Sequence, residues 1–117
     1  MKKRKTRLIA RIGIEFFVLK VEDIAFIYRD GQVIIVVDKA ERKYLIDKSL
    51  SELEEELDTR TFFRANRQYL VNIHHIKSYK RLDKVKLSIS LSACNDCKII
   101  VSQELAPHFK KWMQEEN

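Results

Sequence analysis

The stretch FFRANRQYLVN, which occupies residues 62–72, decides how the rest of the chain is interpreted. Its two phenylalanines can anchor the segment in a core, and an apolar strand follows directly. Burying all four polar side chains at positions 64 and 66–68 without partners would be costly, so several of them are expected to project from a turn. Arginine and amide side chains recognise guanine and adenine edges, and arginine also binds phosphates. A polar turn whose arginines make surface ion pairs is the other interpretation of these residues.

The length of 117 residues suits a single domain with its own core, and two glycines and one proline argue against linkers or disorder. No apolar run approaches the roughly 18 residues that a membrane-spanning helix needs. The basic segment at residues 1–11 has no apolar stretch after it, which argues against a signal peptide. The chain is therefore expected in the cytoplasm, without a membrane partner.

Charge is unevenly distributed along the chain. The net charge of +6 equals the six cations of residues 1–11, among which there is no acid, so the remainder is neutral overall. Residues 60–86 nevertheless hold eight basic side chains against one acid, and residues 41–58 hold seven acids against three bases. A positive and a negative face would orient the domain on a polyanion. Two ordinary solvated surfaces are the alternative.

Strand chemistry dominates the sequence. Every second residue from Val85 to Leu91 is apolar, which is typical of a half-buried strand. The pair Asp30-Gly31, between two apolar runs, favours a tight hairpin turn. The predicted strands are residues 7–12, 15–19, 24–29, 32–37, 43–46, 69–72, 76–82, 84–91 and 98–101. The last of these would follow a turn formed by residues 94–97.

Two segments have helical patterns. Ser49 and Glu52 form a capping box ahead of a stripe of three leucines. In residues 105–113 apolar side chains recur at helical spacing, with Pro107 in the first turn, and these are expected to pack in the core. The predicted fold class is therefore mainly β and antiparallel, with one or two short helices. No helix-turn-helix, basic zipper or zinc-finger spacing is visible.

Residues 62–72 resemble the signature of the LytTR family of bacterial DNA-binding domains, F-x-R-x-H-R-S-x-L-V-N. The matching positions are Phe62, Arg64, Arg67, Leu70, Val71 and Asn72. Asn66 replaces the usual His and Gln68 the usual Ser; both can donate and accept hydrogen bonds, which leaves the base preference open. Further similarity lies in residues 21–28, 43–54 and 100–102, so the resemblance extends over about residues 8 to 112.

This resemblance implies an elongated antiparallel β-sheet sandwich with one or two short helices. Residues 8–117 would form the DNA-binding domain, and residues 1–7 a basic tail or the end of a linker. The resemblance also implies that loops of the β fold enter the grooves of double-stranded DNA. The expected DNA-binding residues are Arg29, Arg64, Asn66, Arg67, Gln68, Lys77, Lys80, Arg81, Ser102 and Gln103.

Several residues of this set have competing roles. Arg67 and the amides beside it are expected to read bases. Arg64 either contacts DNA or pairs with an acid and braces the loop, and Arg29 either contacts DNA or is an ordinary turn residue. Ser102 is expected to cap the final helix rather than donate to a phosphate. Gln103 stands where the family commonly has Arg, which removes one cation from the expected interface.

For the whole protein, the resemblance implies transcriptional regulation as the output domain of a bacterial two-component response regulator. Two copies would bind spaced direct repeats as a dimer on DNA, with bending of the duplex. An N-terminal receiver domain usually precedes such a domain, and no receiver lies in these residues. A free-standing regulator is the alternative.

Cys94 and Cys97 form an isolated C-x-x-C. A zinc site usually needs a second close pair of ligands, which the adjacent His74 and His75 supply poorly. A redox pair of this spacing normally precedes a helix. Free thiols in a turn are therefore expected, with no metal and no cofactor. There is no Gly-rich phosphate loop and no G-x-S-x-G, so no enzymatic activity is expected.

Two other functions fit the same residues. One is a β-rich protein-interaction module whose basic face at residues 60–86 meets an acidic partner. The other is a single-stranded nucleic-acid binder, which would need exposed Tyr28, Tyr69 or Tyr79 as stacking platforms.

Overall fold

The computed structural model of the protein describes residues 4–115, apart from the side chain of Asn95. Ten strands and two α-helices lie in this range, with short 3-10 turns before the third and eighth strands. The strands are β1 Arg7–Ile12, β2 Glu15–Lys20, β3 Ile24–Asp30, β4 Val33–Asp38, β5 Lys43–Ile46, β6 Phe62–Arg64, β7 Tyr69–Asn72, β8 Ile76–Arg81, β9 Leu87–Leu91 and β10 Cys94–Val101; the helices are α1 Leu50–Glu56 and α2 Ala106–Gln114.

The strands form two antiparallel sheets. The larger has seven strands in the order β2-β1-β5-β4-β3-β7-β6, and the smaller has three in the order β10-β9-β8. The predicted hairpin between β3 and β4 is confirmed, with its turn one residue later than expected: Asp30 pairs with Val33, and Gly31-Gln32 connects them. Gly31 has a φ of 63°, a conformation that glycine adopts without steric cost.

The middle strands of the large sheet are buried on both faces, which makes this part of the fold a sandwich. On one face, Ile27, Leu53 and Leu70 belong to a core covered by α1. On the other face, Phe26 and Val71 pack with residues of the small sheet and α2. The central strand β3 therefore carries a continuous apolar run instead of an alternating one, since both of its faces are covered. The predicted mainly β sandwich is confirmed.

The small sheet departs from prediction at its strand ends. Leu87, Ile89 and Leu91 are buried on one face of β9, as their alternation indicates. Val85, which continues that pattern, is 41% exposed because it lies in the turn before β9. The predicted strand over residues 84–91 therefore begins only at Leu87.

Both predicted helices are present. The Ser49 hydroxyl accepts a hydrogen bond from the Glu52 backbone, and the Glu52 carboxylate accepts one from the Ser49 backbone, so the capping box is confirmed. Pro107 lies in the first turn of α2. Phe109 is fully buried in the core between the large sheet, the small sheet and α2, which we call the second core. Within residues 4–115, no helix combines the length and apolar character needed to cross a membrane.

The start of the chain contacts the end of α1. The Lys5 backbone donates to the Glu56 carbonyl at 3.0 Å, and the Arg4 guanidinium donates to the Glu55 carbonyl at 3.0 Å. Residues 1–3 lie outside the described residues. The division into a basic tail and a domain beginning at residue 8 stays a prediction.

Candidate nucleic-acid interface

A groove of about 1060 Å³ lies where three connections of the fold meet. It contains seven of the ten predicted DNA-binding residues: Arg29, Arg64, Asn66, Arg67, Gln68, Ser102 and Gln103. Two backbone hydrogen bonds hold the connections together: Arg29 N–H donates to the Gln68 carbonyl at 2.9 Å, and Ser102 N–H to the Ala65 carbonyl at 3.4 Å. The fold thus collects segments that are more than 70 residues apart in sequence.

Asn66 organises the loop between β6 and β7, which we call the signature loop (residues 65–68). Its Oδ1 accepts from the backbone of Gln68 at 2.7 Å and of Tyr69 at 3.1 Å, and its Nδ2 donates to the Ile100 carbonyl at 2.6 Å. The amide therefore closes a local turn and also ties the signature loop to β10. These bonds place Asn66 in the interior of the loop, where it supports the neighbouring side chains.

Arg64 braces the same loop, as one of its two predicted roles requires. Its guanidinium donates to the Asn66 carbonyl and to the Arg67 carbonyl, both at 2.8 Å, and lies 3.2 Å from Oε1 of Glu54 in α1. The Arg64 side chain is only 21% exposed. From the sequence alone, Glu54 is expected to be an ordinary solvated glutamate. No sequence pattern connects it with Arg64, which lies ten residues away.

Four other side chains of the groove point outward. Arg29, Arg67, Gln68 and Gln103 are all exposed. Within residues 4–115, none of their side chains has a protein hydrogen-bond or ion-pair partner. Guanidinium and amide groups held on a braced loop can form paired hydrogen bonds to base edges. Arg67 and Gln68 are therefore the groove side chains best placed to recognise a ligand.

The three cations of β8 lie at different distances from the groove. Arg81 pairs with Leu87, which pairs with Val101, so Arg81 lies about 10 Å from the last residue of β10, two strands away. Lys80 is one residue behind. Lys77 is four residues back, about 13 Å along the strand. None of the three lines the groove; Lys80 and Arg81 lie at the groove end of the small sheet, and Lys77 toward the opposite end.

Two carboxylates hold the turns at either end of the basic segment. The Arg60 backbone N–H donates to Asp58 and, with a smaller effect from the Arg60 side chain, lowers the pKa of Asp58. The backbone N–H groups of Val85 and Lys86 donate to Asp83 and lower its pKa in the same way. In both turns, the backbone hydrogen bonds stabilise the charged form of the carboxylate.

The expected capping role of Ser102 is wrong. The residue that precedes α2 is Leu105, and no side chain caps the helix there. Ser102 contributes its backbone instead, because its carbonyl accepts from Leu105 at 3.0 Å and from Ala106 at 2.9 Å. This turn separates Ser102 from the helix by three residues and leaves its side chain at the wall of the groove.

The expectation of free thiols is also wrong. Cys94 and Cys97 form a disulfide, and both belong to β10, which begins at Cys94 where a turn was predicted. The Cα atoms of the two cysteines are 5.4 Å apart. Consecutive residues of a regular strand rise about 3.3 Å each, so this segment cannot be fully extended. The strand carries an irregularity between Cys94 and Ile99 that no periodicity reveals.

The tyrosines do not form an exposed stacking platform. Tyr28 and Tyr69 are half-buried and stack on each other with 5.6 Å between ring centroids, while Tyr79 meets Phe109 edge-on at 5.1 Å. All three rings pack against the second core. The feature on which the single-stranded nucleic-acid interpretation depended is therefore contradicted.

Two groove residues escaped prediction from sequence. Glu104 and Leu105 line the groove beside Gln103. No sequence pattern distinguishes Glu104 from the other acids, and its carboxylate lowers the local positive charge. Helical spacing alone assigns Leu105 to the core.

The family model of the LytTr DNA-binding domain matches residues 15–114. The chain belongs to the LytTR family. This match covers most of the chain, including the signature loop, and agrees with the resemblance of residues 62–72. The family is one of DNA-binding domains, in keeping with the expectation that this protein is not an enzyme.

Two individual proteins are also similar to this LytTR domain. It is 31% identical over 108 residues to the transcriptional regulatory protein NatR of Bacillus subtilis (strain 168), a match that covers 89% of this chain and 46% of the relative. The chain thus spans about half the length of that curated relative. In fold it matches the LytTr DNA-binding domain of a putative methyl-accepting/DNA response regulator from Bacillus cereus, with a TM-score of 0.85, 22% identity, and coverage of 95% of this chain and 99% of that one.

Proposed function

We propose that this LytTR domain binds specific sequences of double-stranded DNA and regulates transcription as the output domain of a cytoplasmic response regulator. Arg67 and Gln68 would read base edges in the major groove. Arg29 and Gln103 would contact bases or phosphates from the adjoining connections. Asn66 and Arg64 would hold the signature loop in place and contribute through its shape.

The observation that carries this proposal is that some polar side chains of the groove are hydrogen-bonded to the protein, whereas others are exposed. Asn66 and Arg64 are bonded to the loop and to neighbouring elements, whereas Arg67 and Gln68, which directly follow Asn66, are exposed. Side chains on a rigid loop lose less conformational freedom on binding than side chains on a mobile one. A base-reading site benefits from this arrangement, because discrimination depends on the angle at which a guanidinium meets guanine.

The cations of β8 would supply the part of the affinity that does not depend on sequence. Lys80 and Arg81 lie near the groove end of the small sheet, within reach of a phosphate backbone that crosses the groove. Each phosphate contact releases counterions and makes binding depend on salt. Lys77, farther back, would contact DNA only if the duplex bends around the domain.

Assembly on DNA follows from the same proposal. We expect two copies to occupy direct repeats spaced along one face of the duplex, with bending between them. The similarity to a longer transcriptional regulator supports the presence of a further domain, such as a receiver, in the whole protein.

Selection from a random duplex library at about physiological salt tests the proposal, because the bound sequence need not be guessed in advance. An enriched motif, especially a repeated one, is the expected result. Arg67→Ala should lose that enrichment. Arg7→Ala, which changes an exposed arginine of β1 outside the groove, is the matched control and should retain it.

Absence of enrichment with folded protein at several concentrations would contradict specific recognition by this domain alone. Binding to heparin and to acidic polypeptides, measured in parallel, would then show whether the basic face prefers an acidic protein partner. Equal enrichment by Arg67→Ala would instead contradict the assignment of the signature loop.

A further inference from the structure

The pairing of β10 with β9 contains two registers that differ by three residues. At the turn, Cys94 pairs with Leu91; farther along, Ile99 pairs with Ile89 and Val101 with Leu87. Four residues of β10, Asn95 to Lys98, therefore lie opposite the single residue Ser90. The extra residues form a bulge next to the two-residue turn at Ser92-Ala93.

The disulfide closes this bulge. Cys94 begins the irregular segment and Cys97 lies near its end, and their bond joins residues that a regular strand would hold about 10 Å apart. With the bond present, residues 94–97 cannot extend into the ladder. The covalent link opposes straightening of the strand there, whereas backbone pairing alone would favour a regular register.

A regular alternative is available to the same residues. If the Ile99–Ile89 register continued toward the turn, Lys98 would pair with Ser90 and Cys97 with Leu91. Burial suits this pairing: Leu91 is buried and Cys97 is packed on the same core, while Lys98 is exposed. The connection would then be five residues, 92–96, which is still an ordinary hairpin length.

The bulge lies against the aromatic residues that support the groove. A cavity of about 160 Å³ is lined by both cysteines together with Phe26, Tyr28 and Tyr69. Tyr28 and Tyr69 stack on each other; Tyr28 immediately precedes Arg29, and Tyr69 immediately follows Gln68. A different turn at residues 92–96 would therefore alter the packing beside Tyr28 and Tyr69, which are the sequence neighbours of Arg29 and Gln68 in the proposed interface.

We propose that the Cys94–Cys97 disulfide is a reversible modification site that sets the register of the β9–β10 hairpin and, through Tyr28 and Tyr69, the DNA affinity of the signature loop. The reductant is a small dithiol or a dithiol protein. Its thiolate attacks one sulfur, the S–S bond breaks through a mixed disulfide, and two electrons and two protons convert the cysteines to thiols. The reductant leaves as its own disulfide. The link to DNA affinity rests on the proposed function.

The first experiment needs no DNA. Folded protein is treated with dithiothreitol, and free thiols are counted by alkylation and mass spectrometry. NMR then compares cross-strand contacts in the two states: Cys94 to Leu91 in the oxidised protein, and Cys97 to Leu91 in the reduced one. Cys94→Ser with Cys97→Ser is the matched control, which should show the contact between position 97 and Leu91 without any reductant.

A disulfide that resists dithiothreitol in the folded protein would overturn the proposal. So would a reduced protein, or a double serine variant, that keeps the contact between position 94 and Leu91. These outcomes are independent of whether the domain binds DNA.

The second experiment measures binding to the selected duplex in both redox states. We expect reduction to weaken binding about fivefold or more, at the lower end of typical allosteric coupling, and to leave the double serine variant unaffected. Equal affinity of the oxidised and reduced proteins would overturn the coupling to the signature loop. If neither state binds any duplex, the proposed function fails, and the NMR result alone decides the register switch.

Discussion

The signature loop and the hairpin between β8 and β9 contain the same local motif with different consequences. In the first, Asn66 Oδ1 accepts from the backbone two and three residues later; in the second, Asp83 Oδ1 accepts from Val85 and Lys86, both at 2.8 Å. Only the asparagine also donates, to Ile100 at 2.6 Å. A carboxylate closes a turn equally well but has no N–H with which to fasten that turn to a neighbouring strand.

Under the proposed function, this difference would let one domain combine selective and unselective binding. The signature loop is attached to β10 by Asn66 and to α1 by Arg64. These bonds fix the backbone position from which the exposed Arg67 side chain projects. The β8–β9 hairpin contains the edge strand β8 of the small sheet, and exposed cations lie on either side of Asp83. In the proposed function, the groups on the braced loop would read bases, whereas the exposed cations of the hairpin would bind phosphates.

The largest expected effect is that of Arg67→Ala. Removing a base-reading guanidinium should weaken binding to the selected site by about 1–3 kcal/mol, equivalent to about 5- to 150-fold, and leave binding to random duplex nearly unchanged. Because the side chain is exposed, the unfolding temperature should not move. Fluorescence titrations on both duplexes, with Arg7→Ala beside them, measure this; an equal loss on both duplexes would mean that Arg67 contacts only phosphate.

Asn66→Asp sharpens the comparison directly, since it converts the first motif into the second. The acceptor for Gln68 and Tyr69 is kept, while the donor to Ile100 is lost and a negative charge is added beside the groove. We expect the free energy of unfolding to fall by about 1 kcal/mol, as for one lost hydrogen bond, together with weaker specific binding. Urea denaturation gives the first quantity. The matched change Asp83→Asn should alter neither by a comparable amount, and equal effects of the two would contradict the role assigned to Ile100.

The cations of β8 test the other side of the comparison. Lys80→Ala combined with Arg81→Ala should reduce the slope of log affinity against log salt by up to about 1.8, because each phosphate contact contributes about 0.9. The enriched motif should be unchanged. Lys77→Ala should change the slope less, as that residue lies toward the far end of the strand. A changed motif would mean that β8 reads bases.

The smallest effect concerns the pH dependence of stability. Hydrogen bonds from Val85 and Lys86 lower the pKa of Asp83 below its ordinary value of 3.8. The carboxylate therefore contributes stability that is fully present above pH 3.8 and is lost as the pH falls through the lower, folded-state pKa. Asp83→Asn should remove this contribution to the pH dependence, measured by denaturation between about pH 2 and 6. An unchanged pH profile would show that the turn opens in solution.

Local patterns predicted the local features well. The capping box of α1, the Gly31 hairpin and the burial of Leu87, Ile89 and Leu91 follow from residues within a few positions of each other. Predictions failed where a local pattern continued past the end of its element. Val85 keeps the alternation of β9 although Asp83 holds it in a turn, and Ser102 resembles a helix cap although a separate turn precedes α2.

By itself, the sequence determined the class of fold, the family and the short loop that holds Arg64 to Gln68, because hydrophobic periodicity, turn residues and a signature motif are properties of neighbouring residues. Tertiary structure alone decided what each of those side chains does. Asn66 finds its acceptor on Ile100, 34 residues away, and Arg64 finds its carboxylate on α1. The disulfide between Cys94 and Cys97 likewise accompanies a break in the pairing of β10 with β9 that no periodicity of the sequence reveals. A hydrogen bond or disulfide forms only between groups that the whole fold brings within a few ångströms, and no spacing along the chain encodes that distance.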